Sequence, residues 1–304
     1  MKSICVFGVF VADLCFIGDL IPSKGQTILG NNYIIGPGGK GSNQAIASAR
    51  LGGNVNFITK VGKDQNAEMA LTLYKEVGIN TNSVIQDDNN FTGVAGIMIN
   101  EKTGENAINI IPGAAGTITN KDIENNLKFI ESSDIFLTQL ETPYEVTSYA
   151  LKKAKETGSI IIFNPAPASE ILETDFKLID YFTPNETEAS YYLKEKVESD
   201  EEIKKAGEFF LKKGIKNIII TLGSRGVYFA NSNENYFIES FKLKDQVIDT
   251  TGAGDAFNGA FAFALSNNKT NREAIVFANK VAGISTTKSG AANSMPTIEE
   301  VENY

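Results

Sequence analysis

The segment Asp249-Thr250-Thr251-Gly252-Ala253-Gly254-Asp255-Ala256-Phe257-Asn258-Gly259 leads into the apolar helical stretch Ala260–Leu265. Glycines at 252 and 254 permit a compact turn whose amides point at whatever sits above a helix start. Such amides, together with the helix dipole, suit the charge of a transferring phosphoryl group. Asp255 could be a plain N-cap, but a cap does not call for the neighbouring glycines. The chain contains no histidine, so no imidazole base and no Ser-His-Asp triad is available. Asp255 is therefore the best-placed general base.

A second glycine-rich segment, Gly36-Pro37-Gly38-Gly39-Lys40-Gly41-Ser42-Asn43-Gln44-Ala45, opens a helix of small residues that stops at Leu51-Gly52-Gly53. Gly36, Gly38 and Gly41 satisfy the dinucleotide pattern GxGxxG, but they do not follow the first strand of a βαβ unit, so that reading fails on context. The phosphate-loop pattern fails as well, because Lys40 precedes Gly41 rather than Ser or Thr. What remains is an ordinary tight turn, or one that lets a small polar ligand approach backbone N–H groups beside Lys40 and Asn43.

Thr183-Pro184-Asn185-Glu186-Thr187-Glu188 follows a short strand, and its carboxylates suit either a Mg²⁺–phosphate environment or a capped helix start. Thr221-Leu222-Gly223-Ser224-Arg225-Gly226 is a glycine turn that could cradle phosphates or simply close a hairpin. Gly290-Ala291-Ala292-Asn293-Ser294 reads as a loop.

The elements that must hold these segments alternate. Ile4–Phe7, Val55–Val61, Ile135–Leu140, Ile160–Phe163, Tyr181–Thr183 and Ile218–Leu222 read as strands. Ala67–Val77, Tyr144–Glu156 and Asp200–Lys213 read as amphipathic helices. That alternation predicts a mostly parallel sheet covered by helices on both faces. Thr27–Ile35 and Val94–Ile111, with a turn at Asn100–Gly104, read as strands without an intervening helix. They predict a small antiparallel sheet lying over the main one as a lid.

The 304 residues carry 28 basic and 37 acidic side chains, a net charge of −9. No basic face is offered to nucleic acid or to an anionic membrane surface. Two cysteines, Cys5 and Cys15, make neither a disulfide framework nor a CxxC metal site and read as small core residues. No apolar run is long enough to span a membrane, and the start lacks the pattern of a signal peptide. A soluble, cytoplasmic protein is expected.

Together these segments resemble the ribokinase family of ATP-dependent sugar kinases, in that family's order and spacing from Gly8 to Pro296. The resemblance implies one α/β domain over residues 1–304, a ribokinase-like three-layer sandwich with a mostly parallel central sheet. Its discontinuous β lid would come from about 12–37 and 93–113. It implies that Asp255 accepts the proton of a pentose hydroxyl while the amides of Gly252, Ala253 and Gly254 stabilise the transferring group. By the same resemblance Asp13, Gly39, Lys40, Asn43 and Glu141 hold the sugar. Asn185, Thr221, Gly223, Ser224, Gly226, Gly254 and Asn279 line the ATP site, with Glu188 in the Mg²⁺ environment. An activating K⁺ would lie at Asp249, Thr251, Ser285, Lys288, Gly290 and Ser294, partly on backbone carbonyls. A homodimer through the lid is implied too, since it would cover exposed sheet edges.

One position departs from the family. Its members usually carry Asn two residues before the sugar-binding Asp, where it is expected to bond the C2 hydroxyl of ribose; here that residue is Val11. Valine neither donates nor accepts, so ribose would lose roughly 1–3 kcal/mol there, whereas 2-deoxyribose would lose nothing. The expectation is a pentose kinase accepting 2-deoxyribose at least as well as ribose, unless a water or another side chain bonds that hydroxyl. A nucleoside kinase of the same family and a catalytically silent, sugar-responsive regulator are the rival readings. Retention of Asp255 and Glu188 argues against the second.

Overall fold

Continuous apolar runs build the central strands, because a parallel strand covered on both faces has no solvent side to mark with polar residues. The computed structural model describes residues 2–304. Its strands are β1 (Ser3–Phe7), β2 (Val11–Gly18), β3 (Asn32–Gly38), β4 (Asn54–Val61), β5 (Val84–Gln86), β6 (Thr92–Asn100) and β7 (Asn106–Gly113). They continue with β8 (Ile135–Thr138), β9 (Ile160–Phe163), β10 (Tyr181–Phe182), β11 (Asn217–Thr221), β12 (Val227–Asn231) and β13 (Asn235–Ile238). The main sheet has the order β13-β12-β11-β10-β9-β8-β1-β4-β5. All pairings from β5 to β11 are parallel, and β12 and β13 complete an antiparallel edge.

The strand period of two sorts side chains into two cores. Ile4, Val6, Ile135, Leu137 and Ile219 face the helices Lys40–Arg50, Gln65–Glu76, Ala253–Ser266 and Asn271–Ser285. Cys5, Phe7, Phe136, Ile218 and Ile220 face the helices Tyr144–Glu156 and Asp200–Lys212. The result is the expected three-layer α/β/α arrangement. Among the described residues no helix is long and apolar enough to cross a membrane.

Strand order reverses at β1, which has β4 on one side and β8 on the other. In open α/β sheets a ligand crevice forms at the carboxyl ends of the strands at such a point. Gly8 and Gln139, just beyond β1 and β8, meet there so closely that a Cβ on Gly8 would lie 2.2 Å from Gln139 Oε1.

The second sheet, β3-β2-β6-β7, differs from expectation in three ways. It is mixed rather than antiparallel, because β2 pairs with β6 in parallel while β3 and β7 are antiparallel partners. Of Thr27–Ile35 only the end from Asn32 joins the sheet, and the other strand in this part is Val11–Gly18, within the span of about 12–37 that the resemblance implied. Thr27–Gly30 forms no strand pairing, and Asn31 joins the edge of β2 only through its N–H to Ile17 O at 2.7 Å. Finally, Cys15 lies half-buried on this sheet rather than in a core.

Candidate active site

Two helices carry the glycine-rich turns, and their contact fixes the site. The helices Lys40–Arg50 and Ala253–Ser266 meet at Gly259, where a Cβ would lie 2.5 Å from Gln44 O and 2.6 Å from Ala47 Cβ. Ser48 Oγ donates to Gly259 O at 2.7 Å, and Asn43 Nδ2 donates to Asp255 Oδ2 at 2.9 Å. Residue numbers rise together along the two helices, so their N-termini lie at the same end. The positive ends of both dipoles therefore converge on one place. Gly39, just before the first helix, has φ +90° and no room for a Cβ, which would sit 2.6 Å from Val9 O. The turn is glycine by necessity.

Sequence expectation put Val11, Asp13, Gly39, Lys40, Asn43, Glu141 and Asp255 around a sugar, and the structure brings them together. Val11 and Asp13 share one face of β2. The Asp13 carboxyl lies against Gly38, 2.2 Å from where a Cβ there would stand. Glu141 Oε2 accepts the Lys40 N–H at 2.8 Å. Asp255 is not an N-cap: Gly252, at φ +77°, takes that position, and Asp255 is the third residue of its helix. Its oxygens accept from Asn43 and, at 2.9 Å, from Gln44 Nε2. In the turn the Ala253 N–H reaches Thr250 O at 3.2 Å. The amides of Gly252, Gly254 and Asp255 have no acceptor among the described residues and remain available to an anion.

Electrostatics tie the group into one unit. Burial pushes the Asp255 carboxyl up from its ordinary range, and Lys40, Asn43 and Gln44 pull it back. Burial and the charge of Asp255 push Asp13 up to about 6, and burial pushes Glu141 up to about 7. Burial does the same to Glu188, also to about 7. Burial would lower the Lys40 ammonium, but Asp255, Glu141, Glu188 and Asp13 outweigh it and hold it above its usual value.

These shifts set a pH dependence. Between about pH 4 and 7 the folded chain keeps protons on Asp13, Glu141 and Glu188 that the unfolded chain has released. Stability from these groups is thus full at the acid end and is lost as pH rises through 6 to 7. The melting temperature of the ligand-free protein is expected to fall from pH 5 to 7, and Glu141→Gln to flatten that slope. An unchanged slope in the variant, measured by calorimetry at fixed ionic strength, would remove Glu141 from the account.

The expected nucleotide residues Asn185, Thr221, Gly223, Ser224, Gly226, Gly254 and Asn279 all line one cavity of about 620 Å³, beside Phe241, Leu243 and Val247. Asn185 and Glu188 form a reciprocal cap: Asn185 Oδ1 accepts the Glu188 N–H at 2.7 Å and Glu188 Oε2 accepts the Asn185 N–H at 2.8 Å. The plain helix-start reading therefore holds for their geometry, while Glu188 also lies in the field of Lys40 and Asp255. Asp249 accepts from the Thr251 and Gly290 amides, each at 2.9 Å, drawing those two loops together. Lys288 turns its ammonium to Glu300, and the Ser285 and Ser294 hydroxyls donate to Ala282 O and Ala291 O.

Sequence reading missed a set of buried polar groups behind Asp255, four side-chain amides and a threonine. Gln44, Gln139, Asn164, Thr183 and Asn258 form it. The one local signal was Ser42-Asn43-Gln44, three polar residues in succession on a helix otherwise made of small residues.

The model of the pfkB family of carbohydrate kinases matches residues 1–298. The chain is 38% identical over 303 residues to a ribokinase of Haemophilus influenzae, covering 100% of this chain and 98% of that protein. It is 33% identical over 303 residues to a deoxyribokinase of Salmonella typhi, covering 99% and 98%. The structure of an Arabidopsis thaliana ribokinase complexed with ribose and ATP superposes with a TM-score of 0.91 at 29% identity, covering 99% of this chain and 98% of that one.

Proposed function

The chain belongs to the pfkB family of carbohydrate kinases, and on that footing we propose an ATP-dependent kinase acting on the 5-hydroxyl of D-ribose and 2-deoxy-D-ribose. Relatives named ribokinase and deoxyribokinase align over nearly its full length. The observation that carries the reading is the Asn43–Asp255 hydrogen bond, which joins the sugar-side turn to the helix bearing the free amides.

In this reading the pentose lies between Asp13 and Asp255, with Lys40, Asn43 and Glu141 around it and Val11 facing C2. Asp255 takes the proton of the C5 hydroxyl as its oxygen bonds to the γ-phosphorus and the bond to the β-phosphate oxygen breaks, releasing ADP. The amides of Gly252 and Gly254 meet the charge on the transferring group. Phosphoryl transfer asks mainly for positioning and charge stabilisation, which fits a chain without histidine. ATP occupies the cavity between Asn185, Thr221–Gly226 and Asn279.

Among the described residues no cluster of three His, Cys, Asp or Glu side chains could hold a metal ion by itself. A divalent ion fits here as Mg·ATP, neutralising phosphate charge, with Glu188 nearby. Potassium fits the oxygen-rich loops that Asp249 draws together. Asp249 would offer its carboxylate; Thr251, Ser285, Lys288, Gly290 and Ser294 would offer backbone carbonyls.

The small sheet would close over the sugar, and its other face would pair with a second copy. Phe16, Tyr33, Ile35 and Met98 leave 42–49% of their surface exposed, and in-register pairing puts Phe16, Tyr33 and Met98 on one face. A dimeric mass by light scattering at micromolar concentration is expected, and a monomeric mass would remove this part.

The decisive assay is ADP release with Mg·ATP, with and without potassium, on D-ribose, 2-deoxy-D-ribose and a nucleoside panel. Turnover of both pentoses is expected, with 2-deoxyribose at least equal in kcat/KM. Turnover of nucleosides alone would overturn the reading of the sugar pocket while leaving that of Asp255.

A further inference from the structure

We propose that Gln44 is a positioning residue for Asp255, and that Gln139 and Asn164 hold its amide in the one orientation that presents N–H to the carboxylate. The inference rests on the reading of Asp255 as the base. Gln44 is fully buried, and every polar atom of its amide is engaged. Nε2 donates to Asp255 Oδ1 at 2.9 Å and to Asn164 Oδ1 at 3.1 Å, while Oε1 accepts from Gln139 Nε2 at 2.6 Å.

The orientation follows from a group that can only accept. Thr183 O is a carbonyl, so the Asn164 side chain must offer it N–H, which it does at 3.0 Å. Asn164 Oδ1 then faces Gln44, and Gln44 must answer with its nitrogen. A flipped Gln44 would set its oxygen against both Asn164 Oδ1 and Asp255 Oδ1 and its nitrogen against the Gln139 amide. That would replace the bonds to Asp255 and Asn164 by repulsions among buried side chains; Gln139, whose Oε1 has no partner among the described residues, adds to the preferred orientation without fixing it. Gln139, Asn164 and Thr183 stand just past β8, β9 and β10, so the rigid end of the sheet sets the direction in which Asp255 is held.

The Gln44 amide bonds only Asp255, Asn164 and Gln139, so toward the reaction it acts through Asp255. The charged groups that face Asp255 are Asp13 from β2, Lys40 from its helix, Glu141 from beyond β8 and Glu188 from the helix Glu186–Leu193. Gln44 bonds none of them, so among the charged groups its replacement alters the hydrogen bonding of Asp255 alone, while Asn164 Oδ1 and Gln139 Nε2 each lose a partner behind it.

The test compares Gln44→Met, Gln139→Met and their double variant with the unsubstituted protein, reading kcat/KM for the pentose from pH 5 to 9. Losing a donor to the charged carboxylate raises its pKa. The acidic limb of Gln44→Met is expected to move up by about one pH unit and kcat to fall by about 10- to 100-fold. Gln139→Met should move both in the same direction by less, and the double variant should be no worse than Gln44→Met, as for residues acting in series. Gln139→Met does not touch Asp255 and keeps the test open if Gln44→Met does not fold. An unmoved acidic limb in a folded variant overturns the proposal, and full additivity of the two substitutions overturns the part of Gln139. Asp255→Asn run in parallel separates the causes: if it retains turnover, the base reading has failed rather than the role of Gln44.

Discussion

Asp255→Asn lowers kcat by about 10³-fold, within the range general-base catalysis contributes, and changes the KM for pentose by less than about threefold. The chain has no histidine, and the remaining carboxylates of the site are committed. Glu141 accepts the Lys40 amide, Glu188 caps its helix, and Asp13 lies against Gly38. None of these is joined to the turn bearing the free amides as Asp255 is. Asparagine keeps the shape but offers one oxygen where Asn43 and Gln44 both donate. One of those donors goes unpaired, at a cost of about 1–3 kcal/mol in stability. The measurement is therefore kcat by ADP release at saturating substrates, with a melting curve taken alongside. A folded variant keeping more than a tenth of the activity would remove Asp255 as the base.

Val11→Asn shifts selectivity from 2-deoxyribose toward ribose. Val11 is 4% exposed and opens β2 two residues before Asp13, so its side chain faces the same side as that carboxylate. Space there is limited: its Cγ1 lies 3.0 Å from where a Cβ on Gly93 would stand. A buried asparagine without sugar leaves its amide unpaired, and the C2 hydroxyl of ribose restores the bond. The ratio of kcat/KM for 2-deoxyribose to that for ribose should fall about ten- to hundredfold, the span a single hydroxyl contact commands. A ratio unchanged within about twofold would mean that another group meets the C2 hydroxyl. Val11→Asn is read as a ratio between two sugars and Asp255→Asn as kcat on one sugar, so each outcome can be scored without the other.

What could be read beforehand was whatever local chemistry decides. Strands such as Ile160–Phe163 are buried on both sides and announce themselves as unbroken apolar runs. The turns at Gly39 and Gly252 were legible because their positive φ admits glycine and little else. The parallel pairing of β2 with β6 was not, since register between segments about 80 residues apart leaves no mark in either one. Within the span of about 12–37, composition favoured Thr27–Ile35, because Val11–Gly18 mixes Asp13, Cys15 and Gly18 among apolar residues, yet Thr27–Gly30 pairs with no strand. The amides behind Asp255 left only the Ser42-Asn43-Gln44 run as a sign, for the same reason. Gln44, Gln139 and Asn164 come from three separate elements, and only the converging strand ends bring them to one point.

The contact between the two glycine-rich helices also governs when activity can arise during synthesis. Asn43 and Asp255 are joined across 212 residues, and Ser48 and Gly259 across 211. A ribosome that has released the Lys40–Arg50 helix has made the sugar-side turn but neither its base nor the helix that covers Ala45 and Ala47. Until Ala253–Ser266 emerges, the partial chain carries an uncovered apolar surface of the kind that invites aggregation. Shortened products stopping before Gly252 would yield no weakly active kinase, only chains that chaperones must hold. Activity in a synchronised translation reaction would rise in a single step, with completion of the last third of the molecule.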